Sequence, residues 1–318
     1  MCSSAAWGGR PSSSWIKFAR YDDAQFFLNE GPARTYPGFA TDVETDQAIG
    51  FLEDAAKKER PFYLNLWYHA PHEPLSDKVK EAALYKDEDR KKQVYYGTVT
   101  NMDRNVGRIL DALARLGLEE NTLVIFSSDN GPEVWGFTFS RGSAGRLRGW
   151  KTQLWEGGVR VPFIARWPGR IPPGKTSGTV TSALDYVPTI CEVTGAKAPD
   201  KLDGGLSLLP LLTGKGTLPS RTLFWEFHHG QRGGPTSGSL VVRDGDWKLH
   251  LYQKEGKKAL FDMAKDEGES TDVSGAHPEV VRRLERLALG WFATLPKETE
   301  AKKKRPVPAS EEEANRLP

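Results

Sequence analysis

The sequence has little cysteine. Only Cys2 and Cys191 occur among 318 residues, and two cysteines so far apart build neither a disulfide framework nor a zinc cluster. Long apolar runs are missing too. No stretch of about 18 apolar residues exists, which excludes a membrane-spanning helix. Residues 1–20, rich in Ser, Gly, Trp and Arg, lack the apolar centre of a signal peptide. That lack says nothing about location if the natural start lies upstream. Neither sign of charge dominates: 44 Lys and Arg face 42 Asp and Glu, for a net charge of +2. No basic stripe with interleaved aromatics appears, so nothing indicates nucleic acid as a partner.

What is present suits a large folded domain. Hydrophobic residues make up 38% and charged residues 27%, enough for a sizeable core and against disorder over most of the length. Ten Trp and nine Tyr supply core and groove-lining aromatics, or the wall of a carbohydrate cleft. The stretch through Phe39 reads as loop with short elements. A helix follows, with Thr41 as its cap and Glu44 completing a capping box. Pro61 to Tyr68 is a short apolar, aromatic run that reads as a buried strand. A long helix is expected from Lys91 to Leu116, with Met102, Val106, Ile109, Leu110 and Leu113 on one face and Gly117 just past its end. Thr122–Ser127 and Val161–Trp167 are two further strands.

Strands alternating with long helices imply an α/β domain, a mostly parallel or mixed sheet sandwiched by helices. Ligands of such sheets sit beyond the carboxyl ends of the strands, which directs attention to the residues after Tyr68 and after Ser128. Gly214 to Pro219 reads as a linker. Beyond it, Ser239–Arg243 and Trp247–Tyr252, joined at Asp244-Gly245, form a small antiparallel sheet. A helix over Pro278–Phe292 buries Val281, Leu284, Leu287 and Trp291. The expected division is a partial α/β domain over 1–214, a small C-terminal α+β subdomain over 215–296, and a solvated charged tail over 297–318.

Three segments carry polar chemistry. Ser127-Ser-Asp-Asn-Gly-Pro132 closes a buried strand. Asp129 and Asn130 put a carboxylate beside an amide oxygen, the two donor types a hard cation takes; Asp-Asn-Gly is equally the chemistry of an ordinary turn. His69-Ala-Pro-His72-Glu-Pro74 follows the first strand. Two histidines three apart suit a transition metal, but the prolines argue against one helical face presenting both. A histidine at a strand end also donates to an anion or acts as a general acid. Lys151 stands in a Gly-containing turn, either as a compact donor for sulfate or phosphate oxygens or as a plain surface lysine. Arg141, Arg146 and Arg148 precede it, adding positive potential near an anion or simply solvated.

In this order the segments resemble the sulfatase family of the alkaline-phosphatase superfamily. The likeness lies in RPFYLNLWYHAPHEPL (60–75), YYGTVTNMDRNVGRILDALARLGLEENTLVIFSSDNGPE (95–133), GWKTQLWEGGVRVPFIARWPGRI (149–171), DYVPTICEVTGA (185–196) and LDGGLSLLPLLTG (202–214). It continues more weakly to about residue 290. The resemblance implies an alkaline-phosphatase-like fold and a sulfuric ester hydrolase that uses Ca2+. It makes Asp129 and Asn130 calcium ligands, Lys151 the lysine on the substrate sulfate and bridging oxygen, and His72 the histidine that hydrogen-bonds the sulfate ester. His69 matches no assigned role and is read as structural. His228 and His229 are weaker candidates for the wall of the substrate cleft.

The family's nucleophile, a formylglycine made from Cys or Ser in a Cys/Ser-x-Pro-x-Arg pattern, has no counterpart. Cys2 is followed by Ser3-Ser4-Ala5-Ala6, and Thr217-Leu-Pro-Ser-Arg221 offers a Thr where Cys or Ser is converted. Nor is the pair of aspartates from the family's first strand present. An N-terminally truncated sequence, inactive alone, is the expectation. The resemblance implies a sulfated small molecule or polysaccharide as substrate and an extracytoplasmic compartment. Two alternatives stay open: a phosphomonoester or phosphonate hydrolase of the same superfamily, and a non-catalytic binding protein on a sulfatase-like scaffold. Oligomeric state is not legible.

Overall fold

The computed structural model describes residues 21–27, 32–58, 60–134, 139, 141–227 and 239–296. The chain forms two compact units. Glu120–Pro132 and Ser143–Leu295 make the second; the rest makes the first.

In the first unit, strands β1 (Gln25–Phe27) and β2 (Ala33–Thr35) form a short antiparallel hairpin. Helix α1 (Ala40–Lys58) and helix α2 (Arg90–Arg115) follow. A laddered set of charges joins them: Arg104 to Asp42 at 2.6 Å, Arg108 to Asp46, and Arg115 to Glu53 at 2.9 Å. Asp89 caps α2, its side chain accepting from the N–H groups of Lys91 and Lys92, and Gly117 follows in the left-handed region at φ 68°. A 3-10 turn over Lys80–Tyr85 packs on α2 so closely that a Cβ on Gly97 would meet the Ala82 nitrogen at 2.5 Å. Tyr21, Ala40, Leu75, Val79, Ala82 and Val94 centre the apolar core.

Three expectations change here. Thr41 does not cap α1: it lies inside the helix, fully buried, and the Phe39 carbonyl accepts from Asp42 and Val43. Helix α2 buries Thr98, Asn101 and Asn105 between Val94 and Leu113, leaving Met102, Val106, Ile109 and Leu110 half-buried. Those polar groups are tolerated because each bonds locally, Asn105 to Asp42 at 2.8 Å and Thr98 to the Val94 carbonyl at 2.9 Å. Residues 61–68 join no ladder among the described residues. Their exposure still alternates as a strand's does, with Tyr63 and Trp67 open to solvent. The period-2 pattern is there and the partner is not.

In the second unit, β3 (Val124–Ser127) pairs antiparallel with β4 (Phe163–Arg166). All ladders among the described residues are antiparallel, so the expected parallel pairing is not made by them. The short helices α3 (Glu156–Val159), α4 (Tyr186–Thr194) and α5 (Leu209–Leu212) connect onward. Then comes a four-stranded meander: β5 (Thr222–Glu226), β6 (Leu240–Asp244), β7 (Trp247–Tyr252) and β8 (Lys257–Asp262). The Asp244-Gly245 signal forms the expected tight hairpin, with Asp244 opposite Trp247 and Gly245 at φ 59°.

The meander's two faces differ in chemistry. Leu240, Val242, Leu249, Leu251 and Leu260 meet Val281, Leu284 and Ala288 of the C-terminal helix α6 (Pro278–Phe292). Trp291 of α6 stacks on Phe224 with ring centroids 5.1 Å apart. Leu287, expected in that seam, is largely exposed, and Ala288 takes its place because a small side chain lets the helix approach the sheet. The opposite face carries Arg243, Lys248 and His250, with Phe261 beside Trp155. Among the described residues no helix is long and apolar enough to cross a membrane.

Candidate functional site

Strand β3 ends at Ser127 and delivers Asp129 and Asn130 into a turn. The Ser128 hydroxyl donates to the Asn130 carbonyl at 3.0 Å. The turn is laced to the segment bearing Lys151. Gly131 N–H donates to the Gly158 carbonyl at 2.9 Å, and Lys151 N–H donates to the Pro132 carbonyl at 3.0 Å. Gly131 is required by this approach, since a Cβ there would lie 1.9 Å from the Gly157 oxygen. The Asp129 turn and the Lys151 segment thus meet.

Together they line a pocket of about 280 Å³, to which Asp129, Asn130, Lys151 and Thr152 contribute along with Trp225 and Phe227 from β5 and its exit. Asp129 is exposed, and its carboxylate makes no hydrogen bond or ion pair with a described residue. The Asn130 amide nitrogen donates to the Gly131 carbonyl at 2.9 Å, which leaves its oxygen as an uncommitted acceptor. The Lys151 ammonium pairs with no described carboxylate. Among the described residues, one carboxylate, one amide oxygen and one ammonium around a single cavity thus have no partner for their charge or acceptor capacity, which leaves them open to a ligand. The donor types fit a hard cation such as calcium, supplying two of the six to eight oxygens it takes. No group of three or more His, Cys, Asp or Glu that would hold a metal occurs among the described residues.

His72 belongs to the first unit. Its Nδ1 lies 2.6 Å from the Glu73 carbonyl. A carbonyl only accepts, so Nδ1 carries the proton and Nε2 is the ring nitrogen left for a ligand. The Tyr21 hydroxyl donates to the His72 carbonyl at 2.9 Å, and the His69 ring lies 5.4 Å from that of His72. His228 and His229 lie outside the described residues, as does Cys2.

The arginines before Lys151 serve structure more than field. Arg146 pairs with Glu267 at 2.6 Å. Arg148 lies 3.8 Å over the Trp155 ring and donates to the Glu269 carbonyl at 2.8 Å. An open groove of about 430 Å³ in the first unit is lined by Arg108 and Arg115, but both are paired with carboxylates.

Sequence reasoning passed over four residues behind the pocket: Glu156, Lys248, His250 and Glu269, all buried and mutually bonded. The alternation Trp-Lys-Leu-His-Leu-Tyr reads as a strand of a small sheet and does not reveal that the face carrying Lys248 and His250 is interior. Thr152 was missed as well; its φ of 73° has no signature in sequence. Trp225 and Phe227 were visible only as two of many aromatics.

Comparison with known proteins places the chain in a family. The sequence profile of the Sulfatase family matches residues 13–196, and that of the N-sulphoglucosamine sulphohydrolase C-terminal region matches residues 148–288. Arylsulfatase A of Homo sapiens is 34% identical over 281 residues, covering 80% of this chain and 52% of that protein. N-acetylgalactosamine-6-sulfatase of Mus musculus is 32% identical over 254 residues, covering 78% of this chain and 46% of that protein. The crystal structure of Ps i-CgsB superposes with a TM-score of 0.75 at 28% identity, covering 84% of this chain and 58% of that one. The chain spans about half the length of the curated relatives it matches. Its fold is the α/β, alkaline-phosphatase-like fold of these structures, with a C-terminal antiparallel sheet and helix. On sequence and on fold alike, the chain belongs to the sulfatase family.

Proposed function

We propose that this chain supplies the sulfate-gripping part of a calcium-dependent sulfuric ester hydrolase. The observation that carries the proposal is the single pocket that Asp129, Asn130 and Lys151 line together, with no ion pair to another described residue. Asp129 and Asn130 would hold the cation. When bound, calcium supplies positive charge that favours the ionised carboxylate and polarises sulfate oxygens. Lys151 donates from its ammonium to the sulfate and steadies charge as it moves toward the bridging oxygen. His72 is assigned the ester oxygen by the family resemblance. With Nδ1 held by the Glu73 carbonyl, its Nε2 is the atom that orients that oxygen or passes it a proton.

The 318 residues contain no Cys/Ser-x-Pro-x-Arg, so they provide no site for formylglycine, and the chain alone is proposed to have negligible turnover. The pocket's size suits one sulfated ring rather than a length of polymer. Trp225 and Phe227 give it a flat apolar wall. A sulfated carbohydrate or an aryl sulfate fits that description. One structure of the related Ps i-CgsB is a complex with k-i-k-neocarrahexaose, which supports the carbohydrate class. An extracytoplasmic compartment goes with the same proposal.

Calorimetric titration of the 318-residue chain with inorganic sulfate, with and without calcium, tests it. Sulfate is expected to bind more tightly with calcium present. Lys151→Ala should weaken sulfate about tenfold or more, as for a charge-assisted contact. Asp129→Asn should abolish the calcium dependence. Sulfate binding indifferent to both substitutions, or a clear preference for phosphate, would overturn the assignment.

A further inference from the structure

We propose that Glu156, Lys248 and Glu269 are positioning residues for Lys151: a buried ionic clamp, anchored in the C-terminal sheet, that holds a strained turn in the shape that aims the lysine at the pocket. The functional weight of this inference rests on Lys151 being the anion's partner; the clamp itself is a claim about the turn.

The need for a clamp begins at Thr152. Its φ is 73°, and a β-branched residue there is an outlier that persists only where its surroundings over-determine it. Thr152 follows Lys151 directly, so a turn that relaxes at residue 152 carries the ammonium away.

Both sides of the turn are held. Before it, Lys151 N–H donates to the Pro132 carbonyl at 3.0 Å, and Gly157 N–H reaches back to the Arg148 carbonyl at 2.7 Å. After it, Gln153 N–H donates to the Trp150 carbonyl at 3.0 Å. Trp155, 1% exposed, is wedged between the Arg148 guanidinium at 3.8 Å and the His250 ring at 4.2 Å. Glu156 then fixes the exit. Its N–H donates to the Glu269 carboxylate at 2.6 Å, and its own carboxylate accepts from Lys248 at 2.9 Å and Arg243 at 3.3 Å. Glu269 also accepts from Lys248 at 3.0 Å and from His250 at 2.8 Å, while its carbonyl takes Arg148 at 2.8 Å.

Hydrophobic stabilisation alone does not account for this choice of residues. Buried ion pairs are commonly no better than well-packed apolar residues of the same volume, and the other face of the same sheet is built from Leu and Val. What charged partners add is one defined geometry, because a shifted turn would leave an unpaired charge in the interior. Lys248 and Arg243 together balance the carboxylates of Glu156 and Glu269. None of these four side chains lines the pocket; Lys151 and Thr152 do. Their role is therefore exercised through the turn.

Residue-resolved amide hydrogen exchange on the 318-residue chain tests this, comparing wild type with Glu269→Ala, Glu269→Gln, Thr152→Gly and the double variant E269A/T152G. In E269A, the Lys151 and Gln153 amides should exchange about tenfold or more faster relative to the β6–β7 ladder, a local opening. Gln at 269 still offers an oxygen to the Glu156 N–H, so E269Q should move these amides less. Glycine removes the strain at 152, so T152G should return part of the loss in the double variant. Equal acceleration throughout the second unit, or effects of T152G and E269A that simply add, would overturn the clamp. If E269A does not fold, the same ratio in E269Q decides: a selective rise at Lys151 and Gln153 supports the clamp and a uniform one refutes it. Sulfate titration of the same samples separates the two claims. Wild type that shows the exchange pattern but binds no sulfate defeats the function assigned to the pocket and leaves the clamp standing.

Discussion

The ammonium of Lys248 lies 2.9 Å from a carboxylate oxygen of Glu156, and both side chains are shut away from water. A lysine so placed is tolerable only because two carboxylates surround it, the second being Glu269 at 3.0 Å. Lys248→Met keeps the length and apolar stem but strands the carboxylates. Removing one partner of a buried pair costs about 3–5 kcal/mol, so the second unit should unfold at clearly lower urea while the first is little changed. Denaturation followed by circular dichroism and by exchange of β6–β7 amides measures it. A loss below about 1 kcal/mol would mean that the cluster is already hydrated, contrary to its burial.

His250 gives the second unit an acid limit. Burial disfavours the imidazolium and brings its pKa down from 6.5 to about 4, against the opposing pull of the Glu269 carboxylate. The folded state therefore holds a neutral ring where the unfolded chain takes up a proton. Below pH 6.5 the unfolded state binds more protons, and stability falls as pH drops through about 4. His250→Phe, which keeps a ring beside Trp155, should flatten that slope although it lowers stability at neutral pH by leaving Glu269 short of a donor. A wild-type unfolding free energy of the second unit that stays constant between pH 6.5 and 4 would contradict this.

What was legible is local. Asp129, Asn130 and Lys151 sit in turns beside short, half-buried strands and line one pocket, and the hairpin at Asp244-Gly245 and the helix over Pro278–Phe292 follow from equally short patterns. What escaped is non-local. Lys248 and His250 alternate with leucines just as solvent-facing residues do, and only Glu156 and Glu269, remote in sequence, make their burial possible. Residues 61–68 show the converse: the strand pattern is evident, yet pairing depends on a neighbour that the segment's own sequence does not determine.

Glu44 should give the first unit the opposite pH dependence. Burial pushes its carboxyl up from 4.5 to about 8, with only the His69 backbone N–H favouring the charged form. One of its oxygens, Oε2, is buried with no hydrogen-bond partner among the described residues. The folded state keeps a proton that the unfolded chain releases, so its stabilising share is complete below pH 4.5. It is lost as pH rises through about 8, at up to ~1.4 kcal/mol per pH unit within that window. Glu44→Gln, neutral at every pH, should remove the slope and leave the alkaline side more stable than wild type. Melting of the first unit, followed through α1 and α2 amides between pH 5 and 9, is the measurement. Parallel curves for the two proteins would show that Glu44 is ionised in the fold.

Two glycines should respond to alanine in opposite directions, because one has room for a Cβ and the other does not. At Gly131 a Cβ would lie 1.9 Å from the Gly157 oxygen and 2.9 Å from the Gly158 Cα. Those are backbone atoms, so no side chain can swing aside. Gly131→Ala must part the Asp129 turn from the Lys151 segment and break the Gly131 N–H bond to the Gly158 carbonyl. A loss of about 1–3 kcal/mol is expected, as for overpacking, together with loss of sulfate binding. Gly107 lies within α2 and has nothing within 4 Å of its would-be Cβ. Gly107→Ala should raise stability by about 0.5–1 kcal/mol through helix propensity and the restricted unfolded chain. Thermal melts of both variants, read with sulfate titration, separate the effects. G131A that melts like wild type and still binds sulfate would mean that the two loops do not close on one another as drawn here.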